Sequence, residues 1–140
     1  MAADLKATAQ RFNDEIMNQG KLEVLDEIIS DDLIEHAAPP GWPPGKEGVR
    51  AWVEMVRGAF PDVKVETLGA VAEGDEVWLH SLMTGTHSGG EFMGIPATGK
   101  SVSVAMIDRV KVKDDKAVEH WAVSDDLGMM TQLGVVPEMG

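Results

Sequence analysis

The chain has 140 residues, 44% of them hydrophobic, with no cysteine and 24 acidic against 12 basic residues for a net charge of −12. That length supports one domain, residues 1–140, and the acidity disfavours nucleic acid and anionic membrane as partners. The missing cysteine excludes a disulfide framework, a thiol nucleophile and a zinc–cysteine site. No run approaches the length of a membrane helix. The start, Met1-Ala2-Ala3-Asp4-Leu5-Lys6, lacks the apolar centre of a signal peptide, so a reducing cytoplasm is the expected location. Tyrosine is absent and methionine frequent, at 9, so an apolar cavity would be lined by Met, Leu and Val with Trp and Phe for bulk.

In chain order, Leu5, Ala9, Phe12 and Ile16 recur at helical spacing, and Asn18-Gln19-Gly20 should stop that helix. Leu22, Leu25, Ile28 and Ile29 predict a second short helix ended by Ser30-Asp31-Asp32, followed by a short extended piece over 33–37. The proline-dense stretch 39–45 excludes helix and predicts a loop able to rim a pocket. Val49, Trp52, Val53, Val56 and Phe60 mark one face of a long helix that Pro61 stops. Strands follow at 63–68, 70–72 and 76–86, and 88–99 reads as a long mobile connection. Leu127, Met130 and Leu133 predict a final helix with Ser124 as N-cap and Asp125 and Asp126 in its first turn, where negative charge is favoured. Helices first and an antiparallel meander after give an α+β class, a curved sheet closed by helices on one side.

The most informative stretch is 102–113, whose strict alternation separates two faces. Val102, Val104, Met106, Asp108, Val110 and Val112 form one of them. Asp108 thus stands alone on an apolar face, where an ionised carboxylate costs several kcal/mol unless paired or neutralised. It reads as a general base raised by its surroundings, or as a partner for His120 or Arg109. Lys113-Asp114-Asp115-Lys116 is a turn leading to a strand at 117–123. A three-residue turn places Val110 opposite His120 and Asp108 opposite Ala122, making His120 a diagonal neighbour of Asp108. A two-residue turn would put Glu119 and Trp121 on that face instead, because a slip of one residue exchanges the faces. Spacing leaves both open.

The other candidates are less distinctive. His120 is an acid/base candidate oriented by Asp108, or a satisfied core histidine. His36 stands at the edge of the proline loop, within reach of a pocket mouth, and His87 ends a strand where it would brace a loop or meet substrate. Trp52 could line a cavity from the long helix, while Trp121 reads as core. His80 alternates with Trp78, Leu82 and Thr84 and is expected on an outer or dimer surface. Four histidines without close paired spacing argue against a metal site. Gly94 and Gly99 do not form a nucleotide loop, and no serine lies in a nucleophile elbow.

The chain resembles the SnoaL-like polyketide cyclases, or ester cyclases, of the nuclear transport factor 2-like superfamily over nearly its whole length. The carriers are Phe12 to Leu22, Asp32 to Ala37, Gly48-Val49-Arg50, Ala59 to Val63, Thr84-Gly85-Thr86-His87, Gly94 to Lys100, Val118 to Trp121 and Leu127 to Gly134. The resemblance implies a cone-shaped α+β barrel, a curved antiparallel or mixed sheet wrapped around N-terminal helices, with a deep apolar pocket. It also implies a homodimer through the outer sheet face and cofactor-independent, metal-free ring closure of a polyketide ester by aldol chemistry. It turns positions 108 and 122 into the cavity. This sequence departs from the pattern there: the family's general-base aspartate aligns with Ala122, and a pocket histidine with Asp108, so the base would be relocated to the neighbouring strand.

Two functions therefore compete, with a third behind them. The favoured one is acid/base chemistry on a small apolar carbonyl or polyketide-like compound (cyclisation, isomerisation or hydration). Asp108 and His120 would be catalytic, with His36, Trp52, His87, Met106 and Ala122 lining the substrate site and no cofactor or metal taking part. The second is a non-catalytic container for a small apolar molecule. An interaction module acting through its sheet face would need Trp78 and Leu82 exposed.

Overall fold

The computed structural model describes residues 5–136. Residues 1–4, on which much of the reading of the N-terminal start rests, lie outside it. Helix α1 (Leu5–Arg11) widens into a π-helical turn (Phe12–Met17), and a 3₁₀ turn (Leu22–Val24) leads into α2 (Leu25–Ile28) and strand β1 (Ile29–Glu35). Helix α3 (Gly45–Ala59) precedes strands β2 (Lys64–Glu73), β3 (Glu76–Thr86), β4 (Ser101–Lys113) and β5 (Lys116–Ser124), and α4 (Asp126–Gln132) closes the described chain. The strands form one sheet in the order β1-β5-β4-β3-β2, parallel between β1 and β5 and antiparallel elsewhere. This is the expected α+β architecture, a curved mixed sheet packed against helices.

The β4–β5 hairpin resolves the register in a way that neither turn length alone anticipates. Its loop is the two residues Asp114 and Asp115, both with positive φ (53° and 63°), as a mirror-image hairpin turn requires. An extra residue in β5, Val118, then lies between the pairs Lys111–Glu119 and Val112–Ala117. This bulge shifts the strand by one position, so Val110 faces His120 and Asp108 faces Ala122, as a three-residue turn would have placed them.

Four local expectations are corrected. Ser30, Asp31 and Asp32 do not end a helix but lie within β1, whose position at the sheet edge tolerates polar residues. The pieces at 63–68 and 70–72 are one strand, interrupted by a bulge at Leu68 beside Gly69. Ordered contacts pin the 88–99 link: Gly89 and Gly90 donate to the carbonyls of Ala59 and Gly58, and Phe92 is buried in the core. In α4 the cap is Asp125, whose carboxylate accepts from the Gly128 amide, and Met129 is buried while Leu127 is exposed.

The apolar interior falls into two clusters. The larger gathers Ile16, Leu25, Val53, Val56, Phe60, Val104, Met129 and Leu133 with their neighbours, and the smaller holds Ala9, Val77, Leu79 and Val112. Polar side chains occupy the inner sheet face in addition to these. Asn13, on the π turn, donates to Thr67 of β2 (3.0 Å) and Ser81 of β3 (3.1 Å), and Asp108 lies one diagonal step from Ser81.

Candidate active site

The inner face of β4 is buried at both ends, at Val102, Val104 and Val112, but Met106, Asp108 and Val110 at its centre are only half-buried. Asp108 sits in that open middle, 24% exposed at the side chain. Because the bulge turns His120 inward, its Nε2 lies 2.8 Å from Asp108 Oδ1. The parallel pairing of β1 with β5 sets Glu35 opposite His120, and both Glu35 oxygens lie 2.7 Å from Nδ1. A hydrogen bond from the His36 amide to the His120 carbonyl (2.9 Å) holds the strands together there. The result is a line of three ionisable groups, Glu35–His120–Asp108, across three adjacent strands.

The electrostatics follow from this geometry. Burial by itself would lower His120, but the hydrogen bonds from its ring to Asp108 and Glu35 outweigh that and raise it from 6.5 to about 9. At neutral pH the ring is an imidazolium between two carboxylates. Among the described residues nothing donates to Asp108 Oδ2, and that oxygen is not sealed from solvent. Among the described residues, the line therefore ends at a carboxylate oxygen without a hydrogen-bond donor. Asp108 is not the isolated carboxylate that the alternation suggests. Of the two partners considered for it, His120 takes the role, while Arg109 pairs with Glu76 on the opposite face.

The remaining candidates divide by location. Ala122 is the direct cross-strand partner of Asp108, and Met106 shares its face two residues away. Trp52 is partly buried against the larger core cluster, edge-on to Trp42 and Phe92. His36 does not reach the inner face: it is 42% exposed, bonds Glu119 at 2.6 Å and stacks on Trp121, because Glu35 takes the inward position in β1. Trp121 is likewise not core but lies under Arg109 on the outer face. His87 is fully buried, its ring held by the Gly90 carbonyl and the Thr98 hydroxyl against Phe60, so it braces the loop. Glu35 and Asn13 were not singled out from the sequence. Glu35 lay in a short piece without a strand assignment, and Asn13 sits one residue off the α-helical apolar face.

Surface grooves lie elsewhere, one lined by His80, Ile107, Val123 and Asp125 on the outer face, another by Asp31, Asp32, Leu33 and Lys46. Among the described residues no group of three His, Cys, Asp or Glu side chains converges as a metal-ligand set, and no helix is long and apolar enough to cross a membrane.

Comparison with known proteins finds relatives that share this fold. The aklanonic acid methyl ester cyclase DauD from Streptomyces sp. (strain C5) is 30% identical over 123 residues, covering 86% of this chain and 76% of that protein. TsrD from Streptomyces laurentii superposes with a TM-score of 0.87 at 26% identity, over 97% of this chain and 100% of its own. IdmH from Streptomyces antibioticus does so with a TM-score of 0.81 at 35% identity, over 95% and 100%. Residues 7–133 match the family described as SnoaL-like polyketide cyclase, and the chain belongs to it.

Proposed function

We propose that the protein is a cofactor-independent enzyme that removes a proton beside a carbonyl of a small apolar, polyketide-like compound and closes a ring. The observation that carries this reading is the Asp108–His120 ion pair, with a free Oδ2, in the half-open middle of the inner sheet face. Oδ2 takes a carbon-bound proton and the C–H electron pair becomes an enolate. The enolate carbon attacks a second carbonyl, forming the C–C bond and an alkoxide. Asp108 then returns its proton to that oxygen and is regenerated. His120, bonded to Asp108 Oδ1 at 2.8 Å, holds the carboxylate in place on the inner face. Ala122 opposite Asp108 leaves room where the family places its base, and Met106, Val110 and Trp52 supply apolar surface to the substrate. His36 and His87 have no part in it.

The relative DauD suggests the probe. Aklanonic acid methyl ester is incubated with the wild type and with Asp108→Asn, following product by chromatography and binding by tryptophan fluorescence. Turnover by the wild type, falling about 100-fold or more in the variant with binding retained, supports the reading. Equal turnover by both proteins refutes Asp108 as base. Binding without turnover in either favours a container, a reading that the loss of the family carboxylate at Ala122 also supports. The exposed outer-face residues Ile34, Val71, Trp78 and Val123 fit burial against a second copy of the chain. In that case Trp78→Lys shifts the protein to monomer in light scattering.

A further inference from the structure

We propose that Glu35 is the positioning residue of this site: by accepting the Nδ1–H of His120 it fixes the ring as an imidazolium with Nε2–H aimed at Asp108, which makes Asp108 Oδ2 the proton-accepting atom. The inference deepens the acid/base reading above and relies on it only for its kinetic half.

Geometry requires it. An imidazole that faces a carboxylate at each nitrogen must donate from both, since a bare ring nitrogen would oppose an acceptor at 2.7 or 2.8 Å. Glu35 is only 11% exposed at its side chain, and among the described residues its hydrogen-bond partner is His120. A nearly buried carboxylate needs a charged partner, and among the described residues the ion pair recorded for Glu35 is with His120. Several other charges near β5 are engaged elsewhere. Asp26 and Asp31 pair with Lys46, Glu27 with Arg11, and Glu119 with His36, while Arg109 and Lys111 are turned to the outer face beside Glu76 and Asp75. The doubly bonded ring keeps no lone pair, so it cannot accept a proton itself. Had β1 presented an apolar side chain here, His120 and Asp108 would form an ordinary dyad in which the neutral ring is the base.

The test is ring ¹⁵N NMR of the labelled protein. In the wild type at pH 7, both His120 nitrogens are expected to show protonated shifts. A bare Nδ1 overturns the proposal without any variant being needed. In Glu35→Gln, which keeps the shape, the His120 midpoint should fall by about one unit or more. An unchanged midpoint also overturns it. With aklanonic acid methyl ester as the probe, kcat in Glu35→Gln should acquire a new pH dependence at the lowered midpoint. If the wild type shows no turnover, the acid/base reading fails while the NMR still decides the role of Glu35.

Discussion

The charge on His120 makes stability depend on pH with a definite sign. Its value rises from 6.5 to about 9 on folding, so below pH 6.5 both folded and unfolded chains carry the proton and the stabilisation is fully present. Between those limits the unfolded chain releases the proton first, and each pH unit removes about 1.4 kcal/mol. Above about 9 the contribution is gone, an integrated loss of roughly 3 kcal/mol. His120→Gln removes the titrating group, so the difference in stability between wild type and variant isolates it from other ionisations. Urea unfolding at pH 6 and pH 10 should show that difference shrinking by roughly 3 kcal/mol, or about 1.5 M in midpoint at an m value of about 2 kcal/mol/M. A difference that stays constant between the two pH values would mean that the two carboxylates do not hold the ring charged, and the electrostatic account of the site would fall.

Other substitutions probe the scaffold around that line. Asn13→Ala leaves the fully buried Ser81 hydroxyl without its donor and should cost about 2 kcal/mol in urea unfolding; a neutral result would show that the π turn does not depend on this bond. Gly89→Ala sets a methyl group 1.9 Å from the Gly58 carbonyl oxygen, so the 88–99 loop must leave the end of α3, lowering stability by about 1–3 kcal/mol in thermal denaturation. Asp115→Gly relieves a positive φ in the β4–β5 turn and should stabilise by up to about 1 kcal/mol, with the His120 titration unchanged because the bulge and not the turn residue sets the register.

Much of the fold was legible because it rests on periodicity. The alternation of 102–113 marked β4 and isolated Asp108, the apolar face from Val49 to Phe60 marked α3, and β3 runs from Glu76 to Thr86 as its pattern indicates. His120 was legible as a neighbour of Asp108 only conditionally, since a single residue of slip exchanges the faces. What misled were places where one inserted residue breaks a period. The π turn brings Asn13 inward where α-helical spacing favours Phe12, and the bulges at Leu68 and Val118 reset two strands. Such insertions leave little trace in a single sequence because either phase of a short pattern is compatible with it.

The sequence by itself determined the α+β class, the order of the main helices and strands, and the anomaly of a carboxylate on an apolar strand face, because local periodicity fixes which side chains share a face. Only the tertiary structure decided what that carboxylate meets. Glu35 and His120 are 85 positions apart in the chain, and nothing local joins them. The parallel pairing of β1 with β5 brings them into one hydrogen-bonded line with Asp108. The same pairing turns His36 to the outer face, because neighbouring residues of a strand point to opposite sides of the sheet.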